Sequence, residues 1–122
     1  MNEITSAKQT FAADLTVAGL KVSDFVPERI VPPIVIVNVA SPYLEAANFG
    51  EYQINLELVL VAATATNKVA TEKLDELIQQ VLQAINGLGY VQFRNVNQPY
   101  NLQVNNAEYL ATNVYVQLQI TI

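Results

Sequence analysis

The sequence of 122 residues contains no cysteine, no histidine and no tryptophan. Without cysteine there is no disulfide framework, no thiolate zinc site and no thiol nucleophile. Without histidine the commonest general acid–base group is missing, and with it every Ser-His or Cys-His pair. Glycine is scarce. Gly19, Gly50, Gly87 and Gly89 form no phosphate-cradling loop, and Gly87-Leu88-Gly89 lacks the preceding strand and following helix of a dinucleotide site. Basic residues are few and scattered, at Lys8, Lys21, Arg29, Lys68, Lys73 and Arg94, and the net charge is −5. Phosphate backbones bind through clustered cations that release counterions, so nucleic acid is not expected as a direct ligand. The longest apolar runs, near Ile34–Val37 and Leu58–Ala63, fall far short of the ~20 residues of a membrane span. Met1-Asn2-Glu3-Ile4 carries neither a basic region nor a long apolar stretch, so no signal peptide is expected, and the expectation is a soluble protein made in a cytoplasm.

Charge of either sign is thin. Charged residues make up 14% of the chain, against about 25% in an ordinary soluble domain. A folded chain of this mass exposes roughly 6,500 Å², which leaves about one charge per 380 Å². Apolar residues reach 52%. Such a surface protects a lone monomer poorly from association. A homo-oligomer or an obligate partner is therefore expected, with part of the surface covered in the working state.

What is present reads as one domain over residues 1–122, with an N-terminal helix and arm (1–33) and a sheet–helix core (34–122). Ile4, Phe11, Leu15 and Ala18 recur at helical spacing, with Ala7 beside them, and predict a first helix over Ser6–Ala18. Ser6 and Gln9 suit a capping box, and Gly19 suits the stop. Leu20–Pro33, with Pro27, Pro32 and Pro33, is expected as an extended arm or strand margin. Ile34–Val39 is a β-branched run bounded by Pro33 and Pro42. Tyr52–Val61 alternates, with Tyr52, Ile54, Leu56, Leu58 and Leu60 on one face and Gln53, Asn55 and Glu57 on the other, until Val59 and Val61 make that face apolar too.

A second helix over Lys68–Asn86 is the clearest element. Val69, Leu74, Leu77, Ile78, Val81, Leu82 and Ile85 fall on one arc, charged and amide residues fill the other, Asn67 suits the cap, and Gly87 and Gly89 suit the end. Tyr90–Asn95, Tyr100–Val104 and Tyr109–Ile122 read as strands, the last two joined by a tight Asn105-Asn106 turn. Along the final strand, Val114, Val116, Leu118, Ile120 and Ile122 alternate with polar residues. The expected fold is α+β: a two-layer sandwich with both helices on one face of a mainly antiparallel sheet, in the order α-β-β-α-β-β.

Catalytic material is poor. Ser6, Ser23 and Ser41 have no histidine to activate them. Paired acids can run glycoside chemistry or hold a hard cation, but Glu72, Asp75 and Glu76 lie on the polar arc of the second helix and read as a solvated face. No catalytic, cofactor or metal residue is assigned, and the protein is not expected to be an enzyme. Two surfaces stand out instead. The segment Ser41–Glu51 is longer than the usual two to five residues between neighbouring strands. It carries Tyr43, Leu44 and Phe49 as apolar anchors with Glu45 and Glu51 at their rim, which suits partner binding. The alternatives are that Leu44 and Phe49 fold back as a minicore and that the acids merely keep a loop soluble. The second surface is the outer sheet face, where Gln53, Asn55, Asn113, Gln117 and Gln119 offer donors and acceptors with no charge. They suit a subunit interface, a wet channel lining or plain solvent exposure.

The sequence resembles the tail terminator (tail completion) proteins of siphophages. The likeness runs from about Val35 to the C-terminus. It is carried by the strand Pro33-Ile-Val-Ile-Val-Asn-Val-Ala40, the tyrosine segment ending Asn48-Phe49-Gly50, and the alternating Tyr52–Val61. The break Ala65-Thr66-Asn67 then leads into the helix with Leu74-Asp75-Glu76-Leu77-Ile78, and Glu108-Tyr109-Leu110-Ala111 leads into a long last strand. The resemblance lies in order and spacing. It implies a two-layer α+β subunit of a hexameric ring at the head-proximal end of the virion tail, assembled in the host cytoplasm. Such a ring caps the tail tube, stops polymerisation of the major tail tube protein and offers a surface to the head–tail connector protein. DNA only passes through it, and neither catalysis, cofactor nor membrane is involved. An acidic subunit suits such a bore, since a basic one would hold phosphates. Other readings of the same features are a different head–tail joining or baseplate component, and a small-ligand-binding α+β module with its pocket between helix and sheet.

Overall fold

The computed structural model describes residues 2–64 and 68–122. Helix α1 spans Glu3–Val17. It begins earlier than the Ser6 capping box predicts: Asn2 is the cap, its side-chain oxygen accepting from the Thr5 backbone N–H at 2.7 Å, so Ser6 sits inside the helix. Asn2 ranks with Ser as a cap, and capping four residues earlier brings Ile4 into the helix, where it packs with Ala7 against the core. The C-terminus follows the expected form. Gly19, at φ +95°, donates to the Thr16 carbonyl (3.0 Å) and Leu20 donates to the Leu15 carbonyl (3.2 Å), a Schellman closure that needs the left-handed residue. Leu20 turns inward, and the exposed Ala18 does not join the buried stripe.

The remaining elements are β1 (Val22–Ser23), β2 (Ile34–Ala46), β3 (Glu51–Ala63), α2 (Lys68–Asn86), β4 (Val91–Val96), β5 (Tyr100–Val104) and β6 (Ala107–Thr121). The expected order α-β-β-α-β-β is therefore corrected to α-β-β-β-α-β-β-β. The two-residue β1, paired in parallel with β2, is too short to show any periodicity. At the other end, β4 and β5 both pair antiparallel with β6, one along Val114–Leu118 and the other along Ala107–Ala111. Asn97-Gln98-Pro99 separates them, and Asn97 still donates to the Asn113 carbonyl at 2.9 Å. The result is a mixed six-stranded α+β sheet, ordered β1-β2-β3-β6-β4 with β5 beside β6.

The second helix has the bounds its periodicity predicts; its Asn67 cap lies outside the described residues. Ala70, Leu74, Leu77, Val81 and Ile85 are buried, whereas Val69, expected on the inner arc, is 58% exposed. At 100° per residue Ala70 lies one turn before Leu74, and Val69 is swung well off that line. Gly87 closes the helix through a bond to the Ala84 carbonyl and without positive φ, so its freedom is not what ends α2. No helix among the described residues is long and apolar enough to cross a membrane.

Both helices bury their apolar residues against one side of the sheet. Phe11 and Leu15 of α1 and the α2 row share a core with Val35, Val37, Ile54, Leu56, Leu58, Leu60, Val114, Val116 and Leu118. Each such Leu, removed wholly from water, contributes about 1.5–3 kcal/mol. The opposite face is not bare throughout. The arm after β1 crosses to it and buries Ile30 with Ile34, Ile36, Val59, Val61, Tyr109 and Ala111. The Tyr109 hydroxyl donates to the Ile30 carbonyl and the Asn105 side-chain amide donates to the Glu28 carbonyl, which fastens the arm to the β5–β6 hairpin.

Candidate partner-binding surfaces

The segment Ser41–Glu51 is not a projecting loop. β2 continues through Pro42 to Ala46, β3 begins at Glu51, and only Ala47–Gly50 connects them. A proline inside a strand is tolerated because the register shifts between Val39 and Leu44, and the bulge takes Pro42 out of the ladder. Sequence periodicity stops at such a proline, which is why the strand looked shorter than it is.

The pleat then divides the five candidate residues among three places. Tyr43 and Leu44 pack against the helix-side core. Lys8 Nζ donates to the Tyr43 hydroxyl at 2.7 Å and lies 5.1 Å from its ring centre, tying β2 to α1. Leu44 thus folds back as the minicore alternative has it, whereas Phe49 does not. Phe49 stands fully exposed at the tip, in a connection closed by Glu51 N donating to the Asn48 carbonyl (2.9 Å) and reversed at Gly50, φ +71°. Glu45 and Glu51 turn to the outer face. Beside the tip, the helix-side row of the sheet runs past the helices: Tyr52 and Ile122 are 37% and 66% exposed, and Ile122 N donates to the Gly50 carbonyl. The exposed end is thus formed by Phe49, Tyr52 and Ile122. The last two were read from the sequence only as members of apolar rows.

The outer face assembles its polar residues by register. Asn55 lies opposite Gln117, Gln53 opposite Gln119, and Glu57 opposite Tyr115. Gln117 Nε2 donates to Asn55 Oδ1 (2.9 Å), and Asn55 Nδ2 donates to the Pro42 carbonyl (2.8 Å) and to Glu45 Oε1 (2.7 Å). Gln119 Nε2 donates to Glu51 Oε2 at 2.8 Å. Asn113 Nδ2 donates to Glu57 Oε1 (3.1 Å), the Tyr115 hydroxyl donates to Glu57 Oε2 (3.3 Å), and the Tyr100 hydroxyl donates to Asn113 Oδ1 (2.7 Å). Asn55 and Gln117 are buried beneath this network, so plain solvent exposure does not describe them. Burial, then the negative field of Glu57, raises the Tyr100 hydroxyl above its ordinary pKa, and its bond to Asn113 lowers it in part. Alternation along β3 puts Glu57 on this face; Tyr100 reaches it from a different strand, which no period along β3 or β6 reveals.

The network leaves a shallow concavity of about 450 Å³ lined by Pro42, Glu45, Asn55, Glu57, Arg94 and Tyr115 among others. A larger groove, about 760 Å³, runs between α1 and the β1–β2 edge, with Ala12, Ala13 and Thr16 on one wall and Phe25, Val37 and Val39 on the other. The acids Glu72, Asp75 and Glu76 are exposed on α2. The sequence matches no protein-family model and no curated protein.

Proposed function

We propose that this chain is a non-enzymatic assembly subunit that acts by binding other protein chains, on the pattern of the siphophage tail terminators it resembles. The observation that carries this reading is the apolar end of the sheet, where Phe49, Tyr52 and Ile122 are exposed beside one another on a chain with few charges. Apolar groups held out at the end of a sheet gain nothing in water, and an interface core is where they are covered. In this reading Phe49 is the anchor for a neighbouring subunit or the tube end, with Tyr43 and Leu44 supporting the hairpin from the core. The hydrogen-bonded amide face, whose charges are Glu45, Glu51 and Glu57 with Arg94 beside them, is the subunit or channel face. A hexameric ring, a tube protein below it and a connector above it are what the resemblance adds.

Light scattering and negative-stain imaging of the purified chain test this. Rings or defined oligomers are expected, and Phe49→Ser should abolish capping while leaving the circular dichroism spectrum and melting profile unchanged. A stable monomer at tens of micromolar overturns the reading. Deleting the gene separates a terminator, whose loss gives overlong tubes, from another joining component, whose loss leaves tails of normal length unattached.

A second reading, a small-ligand-binding module, draws on the 760 Å³ groove between α1 and β2. A ligand there raises the melting temperature, and substituting Ala12 by a bulkier residue removes the shift.

A further inference from the structure

Among the described residues the sheet ends in open edges at β1, along β2 beyond Ile36, at β4 and at β5. Exposed edges invite pairing with other chains, and proteins blunt them with brevity, proline, charge or bulges. Three of these edges are blunted. β1 has two residues. β2 carries Pro42, a register shift and Glu45. β4 carries a register shift with Arg94 inside it. β5, Tyr100-Asn101-Leu102-Gln103-Val104, has no charge and no proline, and it keeps unbroken register with β6.

We propose that β5 is a self-association edge, on which a second copy of this chain lays its own β5 antiparallel, with Leu102 on the two-fold axis. The sequence of β5 is complementary to itself in that arrangement. Leu102 meets Leu102, and Tyr100 meets Val104, an aromatic–β-branched cross-strand pair of the favourable kind. Asn101 meets Gln103 on the other side. Tyr100, Leu102 and Val104 are the half-buried rim of the outer apolar cluster, and a matching strand continues that cluster across the axis.

The backbone agrees. Asn105 and Asn106, at φ 51° and 66°, make a two-residue primed turn, so Val104 and Ala107 form the hydrogen-bonded pair that closes the hairpin. Alternation then aims the backbone groups of Asn101 and Gln103 outward, where each exchanges both bonds with its counterpart in the second copy.

Charge permits this occupant at β5. With a net charge of −5, identical chains repel over much of their surfaces, and β5 is an edge where no like charges come face to face. On β4 a two-fold axis at Arg94 would oppose that charge to itself. A strand of this length covers less than the ~800 Å² per partner of a standard stable interface, so the isolated contact is weak and is best read by cross-linking. It goes beyond the ring reading: a two-fold contact closes on itself and adds to whatever contacts run round a ring.

Because the chain has no cysteine, single cysteines report the contact cleanly. In Leu102→Cys the two-fold axis sets the Cα atoms about 4.5 Å apart, inside the disulfide range. Under mild oxidation this variant should cross-link at least about tenfold faster than the exposed β4 control Gln92→Cys, because association raises the local thiol concentration. Asn101→Pro, which removes an outward N–H and spares the β5–β6 ladder, should abolish that advantage. The register is read independently by mixing Asn101→Cys with Gln103→Cys, whose side chains are exposed: the mixture should cross-link faster than either variant alone. Equal rates for Leu102→Cys and Gln92→Cys, or no gain in the mixture, overturn the proposal. Rings seen together with that negative result leave the ring reading standing; a positive result from a chain that forms no rings does the reverse.

Discussion

The two faces of the β3–β6 pair are built from the same strands and stabilised by different physics. On the helix side, Ile54, Leu56, Leu58, Leu60, Val114, Val116 and Leu118 are buried under α1 and α2, and their contribution is area removed from water. On the outer side, over Glu51–Glu57 and Tyr115–Gln119, the same strands present amides, acids and tyrosines. Their contribution is mutual hydrogen-bond satisfaction: Gln117, Asn55 and Glu45 form one chain, and Asn113, Glu57 and Tyr115 another. The first face tolerates any well-packed hydrophobe of the right volume. The second depends on each partner being present, because a buried polar group without one costs more than the bond contributes.

The largest effect should come from the helix side. Leu58→Ala removes a fully buried side chain and should cost about 2–5 kcal/mol in urea unfolding; a cost under 1 kcal/mol would mean the helix-side layer is loosely packed. On the outer side, Asn55→Ala strands the Gln117 amide and a Glu45 oxygen and should cost about 1–3 kcal/mol. Replacing Asn55 and Gln117 together by leucine should recover most of that loss, as seen in the unfolding midpoint. If the double variant is as unstable as the single, satisfaction is not what stabilises this face.

Smaller again is Tyr90→Phe. The Tyr90 hydroxyl donates to Asp14 at 2.5 Å, joining the residue before β4 to α1, and its loss should cost about 1 kcal/mol. Burial first, then the Asp14 bond and its negative field, raise the Tyr90 pKa, so the folded state favours the neutral phenol. That stability is fully present below the ordinary tyrosine pKa of about 10 and is lost as pH rises above it. The alkaline decline in melting temperature should therefore be shallower in Tyr90→Phe. The smallest effect on stability belongs to Phe49→Ser, within about 0.5 kcal/mol, because Phe49 touches water on all sides. A larger loss would show that the tip is part of the fold rather than a surface kept for a partner.

Much of this was legible in the chain. α2 has the bounds its 3.6-residue pattern predicts, the Gly19 stop is where the helix ends, and the Asn105-Asn106 turn joins the strands expected to flank it. The α+β class follows from these elements. Local signals mislead where two residues suit one role. Ser6 and Asn2 both suit a cap, and Ile4 packs against the core only in the helix that Asn2 starts. Pro42 imitates a strand end, and only pairing with β3 shows that it sits in a bulge. With Pro42 taken as a strand end, Tyr43, Leu44, Glu45, Phe49 and Glu51 look like one loop surface, whereas they divide among core, tip and outer face.

By itself the sequence determined what depends on neighbours a few residues apart: helix period, strand alternation, turn chemistry and the thin charge. Tertiary structure decided what depends on register between distant strands. Asn55 and Gln117 are 62 residues apart, and nothing in either strand alone says that they meet. A shift of one residue in that pairing would turn every side chain of a strand to the other face. Which polar group finds which partner is therefore settled only when the whole apolar face has been buried.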